Sequence, residues 1–150
     1  MFAQLDTKSV YSFMDSVVDL NTYVKRAKEL GYQSIGLMDR DNLYAAYHFA
    51  QLAIRNGLRP LIGTEANLFY EGRKIPFRLL AKNNQGYKNL MKLATELSSG
   101  QREFTYFSDY LNDIALILPS EDWEPGMSLG SEVFIGVRPE DAGKEFDYPD

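Results

Sequence analysis

The feature that most limits how this chain can fold is a strand, a helix and a strand packed into the stretch from Ser34 to Ala66. Ser34-Ile35-Gly36-Leu37-Met38 is short and mostly apolar, as a strand covered on both faces should be. Asp39-Arg40-Asp41-Asn42 is expected to break it. A helix rich in Ala and aromatics then spans Leu43 to Asn56, with Gly57 to close it. Arg59-Pro60 leads into a second strand, Leu61 to Ala66. That spacing predicts a right-handed βαβ unit with two parallel strands. Units of this kind present functional groups beyond the carboxyl ends of their strands. Asp39 and Glu65 fall at those ends, and Arg40 follows Asp39 directly.

The flanks extend the pattern. Upstream, Leu20, Val24, Ala27 and Leu30 recur at helical spacing, with Asp19 or Asn21 as the cap and Gly31 as the stop. Phe2 to Lys8 reads as a first strand, and Ser9 to Asp15 as a loop with Tyr11, Phe13 and Met14 packed beneath it. Downstream, Asn67 to Tyr70 continues the second strand of the unit, Glu71-Gly72 forms a hairpin turn, and Ile75 to Ala81 returns. Pro76 donates no backbone hydrogen bond, which places it at an edge or at the start of its strand. Asn83 or Asn84 caps a third helix whose buried stripe is Tyr87, Leu90, Met91, Ala94 and Leu97, ended by Ser98-Ser99-Gly100. Phe104 to Leu111 is a mixed aromatic segment with a short helix after Ser108. Ile114 to Leu118 and Val133 to Val137 are further strands, separated by a polar loop from Glu121 to Gly130. Arg138 to Asp150 shows no period.

Composition narrows the chemistry. A chain of 150 residues, 45% of them apolar, is long enough for one domain with a real core. Its net charge of -5 argues against a free-standing nucleic-acid binder with a broad basic surface. The absence of Cys removes disulfides, thiol catalysis and zinc–thiolate sites. No apolar run reaches 18 residues, so no membrane partner is expected. Met1 reads as a true start with no secretion signal, and the plain expectation is a cytoplasmic protein. His48, the only histidine, cannot build a metal cluster alone and is read as a packing or surface residue. Ser9 and Ser12 have no usable base nearby in sequence, which disfavours a serine nucleophile. Neither Gly-x-Gly-x-x-Gly nor a Walker pattern is present. Asp41-Asn42 reads as a helix-capping loop. Lys82, Lys88 and Lys92 form a small basic face near the third helix, read as solvated surface in preference to a contact with DNA or a further domain. Trp123 either anchors its acidic loop or marks a contact with a further domain.

The segments Leu20 to Gly31, Leu37 to Ala46, Pro60 to Glu65 and Leu79 to Leu93, the last with its Leu-Ala-Lys-Asn and Gly-Tyr-Lys-Asn-Leu, resemble the PHP family, named for polymerases and histidinol phosphatases. The version they resemble opens the alpha subunits of bacterial replicative DNA polymerases of the low-GC Gram-positive type. The resemblance is good to about Gly100 and thins beyond it. It implies an α/β fold: the amino-terminal portion of a distorted, TIM-like (β/α)7 barrel. A closed eight-unit barrel takes about 250 residues, so a chain this short reads either as a small open α/β domain or as one that stops partway round a barrel. In the second case strands that would be internal become edges, and the chain is expected to self-associate through them or to leave its tail disordered.

Active members of the family hold two or three metals. Carried onto this chain, their His-x-His falls on Asp6 and Lys8, their Asp-His on Asp39 and Arg40, their Glu on Glu65, and a later His on Pro76. Four imidazoles are thus replaced. A divalent cluster needs neutral or anionic ligands, and Lys8 and Arg40 bring positive charge instead. The expectation is a vestigial site with no catalytic residue and no metal, in which Lys8 and Arg40 neutralise Asp6, Asp39 and Glu65. The plain alternative is a set of solvated loop-end charges. The resemblance implies a structural domain within a DNA-directed DNA polymerase that uses magnesium in a separate palm domain and binds DNA and replisome subunits. The alternatives are a metal-dependent phosphoesterase or 3′-5′ exonuclease, and a stand-alone binding or regulatory module.

Overall fold

A computed structural model describes residues 3–12, 19–130 and 132–137. Phe2, Phe13, Met14 and the segment from Arg138 onward, about which the sequence made expectations, lie outside the described residues. The elements are β1 (Ala3–Gln4), α1 (Leu20–Glu29), β2 (Ser34–Arg40), α2 (Ala46–Arg55), β3 (Arg59–Tyr70), β4 (Arg73–Ala81), α3 (Asn84–Ser98), α4 (Phe104–Phe107), β5 (Ile114–Pro119) and β6 (Val133–Gly136). The chain divides into two compact units, with the boundary inside β3 between Glu65 and Ala66. The fold class is the expected one: α/β, with strands and helices in the order of a partial PHP-type barrel.

In the first unit β1, β2 and β3 lie side by side in sequence order, all parallel. β2 and β3 pair from Ser34 with Arg59 through Arg40 with Glu65, and α2 joins them as the crossover of the expected βαβ unit. Helices α1 and α2 supply one core with β2: Leu20, Val24, Ala27, Ile35, Leu37, Ala45, Phe49, Ala53 and Leu58. Tyr23 of α1 stacks on Phe49 of α2 with ring centroids 6.0 Å apart. Asp19 caps α1 by accepting from the Thr22 amide at 2.9 Å and hydroxyl at 3.0 Å, and both bonds hold its carboxyl below the usual range. Leu30 departs from the expected stripe: it is 57% exposed, because the helix ends at Glu29 and Leu30 is already its C-cap.

The first strand is shorter than its pattern suggests, two residues rather than the seven from Phe2 to Lys8. Gly36 explains the departure. A Cβ on Gly36 would lie 2.5 Å from the Leu5 carbonyl oxygen and 2.7 Å from Leu5 Cα, so the chain after Gln4 crosses directly over β2. It keeps one ladder-like bond, from the Met38 amide to the Thr7 carbonyl at 2.8 Å. The crossing is also held from the side. Thr7 donates its hydroxyl to the Tyr23 hydroxyl at 3.1 Å, and Tyr23 donates to the Gly36 carbonyl at 2.9 Å.

In the second unit the end of β3 passes into β4 through Glu71 and Gly72, at φ 50° and 79°, the left-handed pair of a two-residue hairpin. β4 is antiparallel to β5 from Arg78–Ile117 to Ala81–Ile114, and β5 is parallel to β6. Pro76 stands in the middle of β4, not at its start. It is tolerated there because the ladder with β5 begins two residues later, at Arg78. Asn83 caps α3 by accepting from the Gln85 and Gly86 amides. The buried face of α3 is Gly86, Asn89, Leu90, Leu93 and Leu97; Met91 is exposed and Leu93 takes its place. The turn of the helix is set by Gly86, where a Cβ would stand 2.1 Å from the Asp113 carbonyl oxygen. The short helix of the aromatic segment comes before Ser108, with a 3-10 turn over Ser108–Tyr110 after it. Phe77, Phe104, Phe107, Leu68, Leu79 and Leu118 fill this core. Arg73 pairs with Asp122 at 3.7 Å and with Glu124, tying the segment that carries half-buried Trp123 to the start of β4.

Two outcomes follow from the crossing over β2. Gly36→Ala should lower stability by about 1–3 kcal/mol, because a methyl there meets backbone and not a movable side chain; urea unfolding of the two proteins measures it. Burial, offset by the Thr7 and Gly36 bonds, raises the Tyr23 pKa above its usual value. The folded chain therefore keeps this proton at pH values where the unfolded chain has lost it. The corresponding stability is complete below about pH 10 and declines as pH rises through the folded value. Tyr23→Phe should cost about 1 kcal/mol at pH 7 and make the alkaline decline in urea midpoint shallower.

Candidate functional site

The carboxyl ends of β2 and β3 bring five of the six expected site residues into the first unit: Asp6, Lys8, Asp39, Arg40 and Glu65. Pro76 belongs to the second unit, on β4. Strand β2 runs through Asp39 and Arg40, so the break comes two residues later than the sequence suggests, at Asp41 with φ 56°. Register fixes the geometry. Arg40 is the strand partner of Glu65, so both side chains rise from the same end of adjacent strands, and the Asp41 amide donates to the Glu65 carbonyl at 2.8 Å.

Glu65 is clamped between two cations. Lys8 Nζ lies 3.1 Å from Glu65 Oε2 and 2.7 Å from Asp6 Oδ1. Arg40 places Nε at 3.1 Å and a terminal nitrogen at 3.0 Å from Glu65 Oε1. The Glu65 side chain is only 6% exposed and that of Lys8 16%, while Asp6 and Arg40 keep 35% and 42% of theirs in water. Lys8 bridges two acids, and Arg40 covers the outer side of one.

Asp39 does not follow the expectation. It is 2% exposed, and the groups that hold it are neutral donors. The Ser9 amide donates to Oδ1 at 2.6 Å, the Ser9 hydroxyl to Oδ2 at 2.6 Å, and the Ser12 hydroxyl to Oδ1 at 2.7 Å. Ser12 Oγ in turn accepts from the Arg40 amide at 3.0 Å, and Ser9 Oγ from the Tyr11 amide at 3.2 Å. On the other side the Thr64 hydroxyl donates to the Asp39 carbonyl at 2.8 Å. A buried carboxylate is stable when its oxygens are saturated with donors, whether or not those donors are charged. Ser9, Ser12 and Thr64 are thus parts of the site that a search for nucleophiles dismisses. The only sequence signal of Ser9 and Ser12 is a pair of hydroxyls three residues apart, directly after Lys8, and Thr64 carries none beyond its place before Glu65.

The loop readings are corrected in the same way. Tyr11 is not packed beneath its loop; it is half exposed, edge-on to Tyr44 with ring centroids 6.3 Å apart. Asp41-Asn42 caps no helix, since α2 starts at Ala46 with Ala45 at its N-cap. Asn42 accepts from the Tyr44 amide at 3.1 Å and donates to the Arg40 and Tyr11 carbonyls. It therefore stitches the turn after β2 to the Ser9–Ser12 loop. His48 is exposed on α2. In the second unit Lys82 pairs with Glu132, which raises the lysine pKa, so the three-lysine face is partly neutralised.

A metal cluster of the kind the family resemblance implies does not fit this donor set. An ammonium and a guanidinium stand at the oxygens of Glu65 that would meet a cation, and both oxygens of Asp39 are taken by protein donors. Among the described residues, no group of three or more His, Cys, Asp or Glu side chains is placed to hold a metal ion.

With this geometry the chain belongs to the PHP domain family, which it matches over residues 4–124. It is 49% identical over 137 residues to the DNA polymerase III subunit alpha of Streptococcus pyogenes serotype M1, covering 91% of this chain and 13% of that protein. The DNA polymerase III subunit alpha of Bacillus subtilis strain 168 is 33% identical over 126 residues, covering 80% and 11%. The chain thus spans about one eighth of the S. pyogenes relative's length. A Bifidobacterium adolescentis structure described as a metal-dependent phosphoesterase superposes with a TM-score of 0.52 at 18% identity, over 63% of this chain and 32% of that one. That likeness concerns the fold alone.

The Asp39 contacts carry a prediction. Asp39→Ala strands the Ser9 amide and two hydroxyls and should cost about 3 kcal/mol or more. Asp39→Asn keeps an acceptor for the Ser9 amide and should cost about 1–2 kcal/mol. Chemical denaturation of the three proteins ranks them; equal stability of the alanine variant and the wild type would contradict the assignment.

Proposed function

We propose that this chain is the PHP domain at the head of a replicative DNA polymerase III alpha subunit, and that the domain is structural and performs no hydrolysis of its own. DNA synthesis by nucleotidyl transfer belongs on this reading to the remainder of the alpha subunit, with magnesium held there by carboxylates. The partners are that remainder, DNA and other replisome subunits; for the isolated chain, a second copy at an open strand edge is a further partner. A cytoplasmic location goes with this role. The observation that carries the reading is the Glu65 carboxylate held between Lys8 and Arg40. Coulomb repulsion from two fixed cations opposes entry of a divalent ion at that carboxylate.

The strong likeness to polymerase III alpha subunits supports the parent activity, and the charge of the site supports inactivity of this part. The expected result of titrating the chain with manganese in a calorimeter is no stoichiometric micromolar binding. An assay with a 3′-labelled single-stranded oligonucleotide and with p-nitrophenyl phosphate should show no metal-dependent product. One-to-one manganese binding that Asp39→Ala or Glu65→Gln abolishes would overturn the reading in favour of a metal-dependent phosphoesterase or 3′-5′ exonuclease.

A further inference from the structure

Asn56-Gly57, at the end of α2, is the single Asn-Gly pair in the sequence, and no part of the site uses it. The pair carries its own chemistry. A glycine nitrogen, with no Cβ beside it, is the least hindered backbone nucleophile that can follow an asparagine. Once deprotonated, it can attack the asparagine Cγ. The new N–C bond closes a succinimide ring, and the Cγ–Nδ2 bond breaks. The side-chain NH2 and the proton lost by the backbone nitrogen leave together as ammonia. Water then adds to one of the two ring carbonyls, and the ring opens to aspartate or to isoaspartate.

Conformation decides whether this happens. Ring closure needs the Cβ of Asn56 and the Gly57 nitrogen eclipsed about the Cα–C bond. In the folded chain ψ of Asn56 is 6°, so the Gly57 nitrogen eclipses the Asn56 nitrogen instead. Asn56 is the C-cap of α2, and Gly57, at φ 76°, is the left-handed residue after it. The Gly57 amide donates to the Ile54 carbonyl at 3.0 Å and the Leu58 amide to the Ala53 carbonyl at 2.9 Å, the paired bonds of a Schellman cap. The nucleophile thus has its proton committed to a helix carbonyl. The electrophile is held as well: Asn56 Nδ2 donates to the Leu52 carbonyl at 2.9 Å, which turns the side chain back along the helix. Behind the cap, Ala53 and Leu58 are buried in the core of the first unit, so a rotation of ψ has to draw Leu58 out.

We infer that Asn56-Gly57 is a site of spontaneous deamidation that the cap of α2 keeps shut, reached only when the end of this helix unwinds. The change is one-way. Isoaspartate adds a carbon to the main chain, so the bonds to Ile54 and Ala53 no longer close in register. Aspartate places a negative charge at the carbonyl end of the helix, where the asparagine had a donor for Leu52. Either product leaves the cap weaker, and α2 is the crossover that sets β2 beside β3.

Incubation of the full chain at mildly alkaline pH, in native buffer and in denaturing urea, followed by peptide mapping with mass spectrometry, tests this. Modification at Asn56 should be about tenfold or more slower in the folded chain than in urea. Ile54→Gly, at an exposed position in the last turn, favours unwinding there. It should raise the native rate about threefold or more and leave the rate in urea unchanged. Hydrogen exchange of the wild type gives a second reading that needs no variant: the Gly57 and Leu58 amides should exchange about tenfold or more slower than in the unfolded chain. Asn56→Asp, which installs one product directly, should lower the urea midpoint. Equal rates in buffer and in urea, or no modification at Asn56 in urea, would overturn the inference. So would unprotected Gly57 and Leu58 amides, an Ile54→Gly chain that folds and reacts no faster, or an unchanged midpoint in Asn56→Asp.

Discussion

Asp39 is the fixed point of the first unit. It sits near the end of β2, almost out of water, and accepts three bonds of 2.6–2.7 Å from Ser9 and Ser12. Without those donors a carboxylate at this position would face a desolvation cost of several kcal/mol. With them, the loop after β1 is drawn onto the strand. Because Thr7 is bonded to Met38 and Ser9 to Asp39, the residue between them, Lys8, is held at both sides. Its ammonium is thereby delivered to Glu65 and Asp6.

The two carboxylates of the site have therefore reached electrical balance by different means. Glu65 is paired with charges of opposite sign, one from the loop and one from the neighbouring strand. Asp39 is solvated by neutral dipoles, much as water would do it but with fixed geometry. The distinction has a physical basis in position. The Arg40 side chain lies in register with Glu65, at the strand end, where a long chain reaches outward and remains partly wet. Asp39 is one residue earlier, where only the small side chains of a tightly crossing loop have room. The same crossing requires glycine at position 36, so the backbone path and the polar site are one constraint.

Much of the first unit was legible because its elements repeat simple periods. The helical stripe of Leu20, Val24 and Ala27 and the apolar run of β2 depend on burial of one face or two, which the residues state directly. In the second unit the turn at Glu71-Gly72 was equally plain, and the cap of α3 was narrowed to Asn83 or Asn84, of which the structure uses Asn83. What failed was decided at longer range. Leu30 and Met91 fit a helical stripe by number, but helix termination and the rotation of α3 toward Leu93 put them in solvent. Tyr11 looked like a packing residue because aromatics usually are, whereas its carbonyl and ring are committed to partners more than thirty residues away.

The sequence by itself determined the composition of the site: acids at two strand ends, Lys8 and Arg40 close to them in the chain, no cysteine and a single histidine. It also determined the parallel βαβ frame, since apolar periodicity and loop length leave few other solutions. Only the tertiary structure decided which acid each cation serves. Ion pairing and hydrogen bonding act over about 3 Å, and contacts at that range between Lys8 and Glu65, or Ser9 and Asp39, exist only after a loop has crossed a strand.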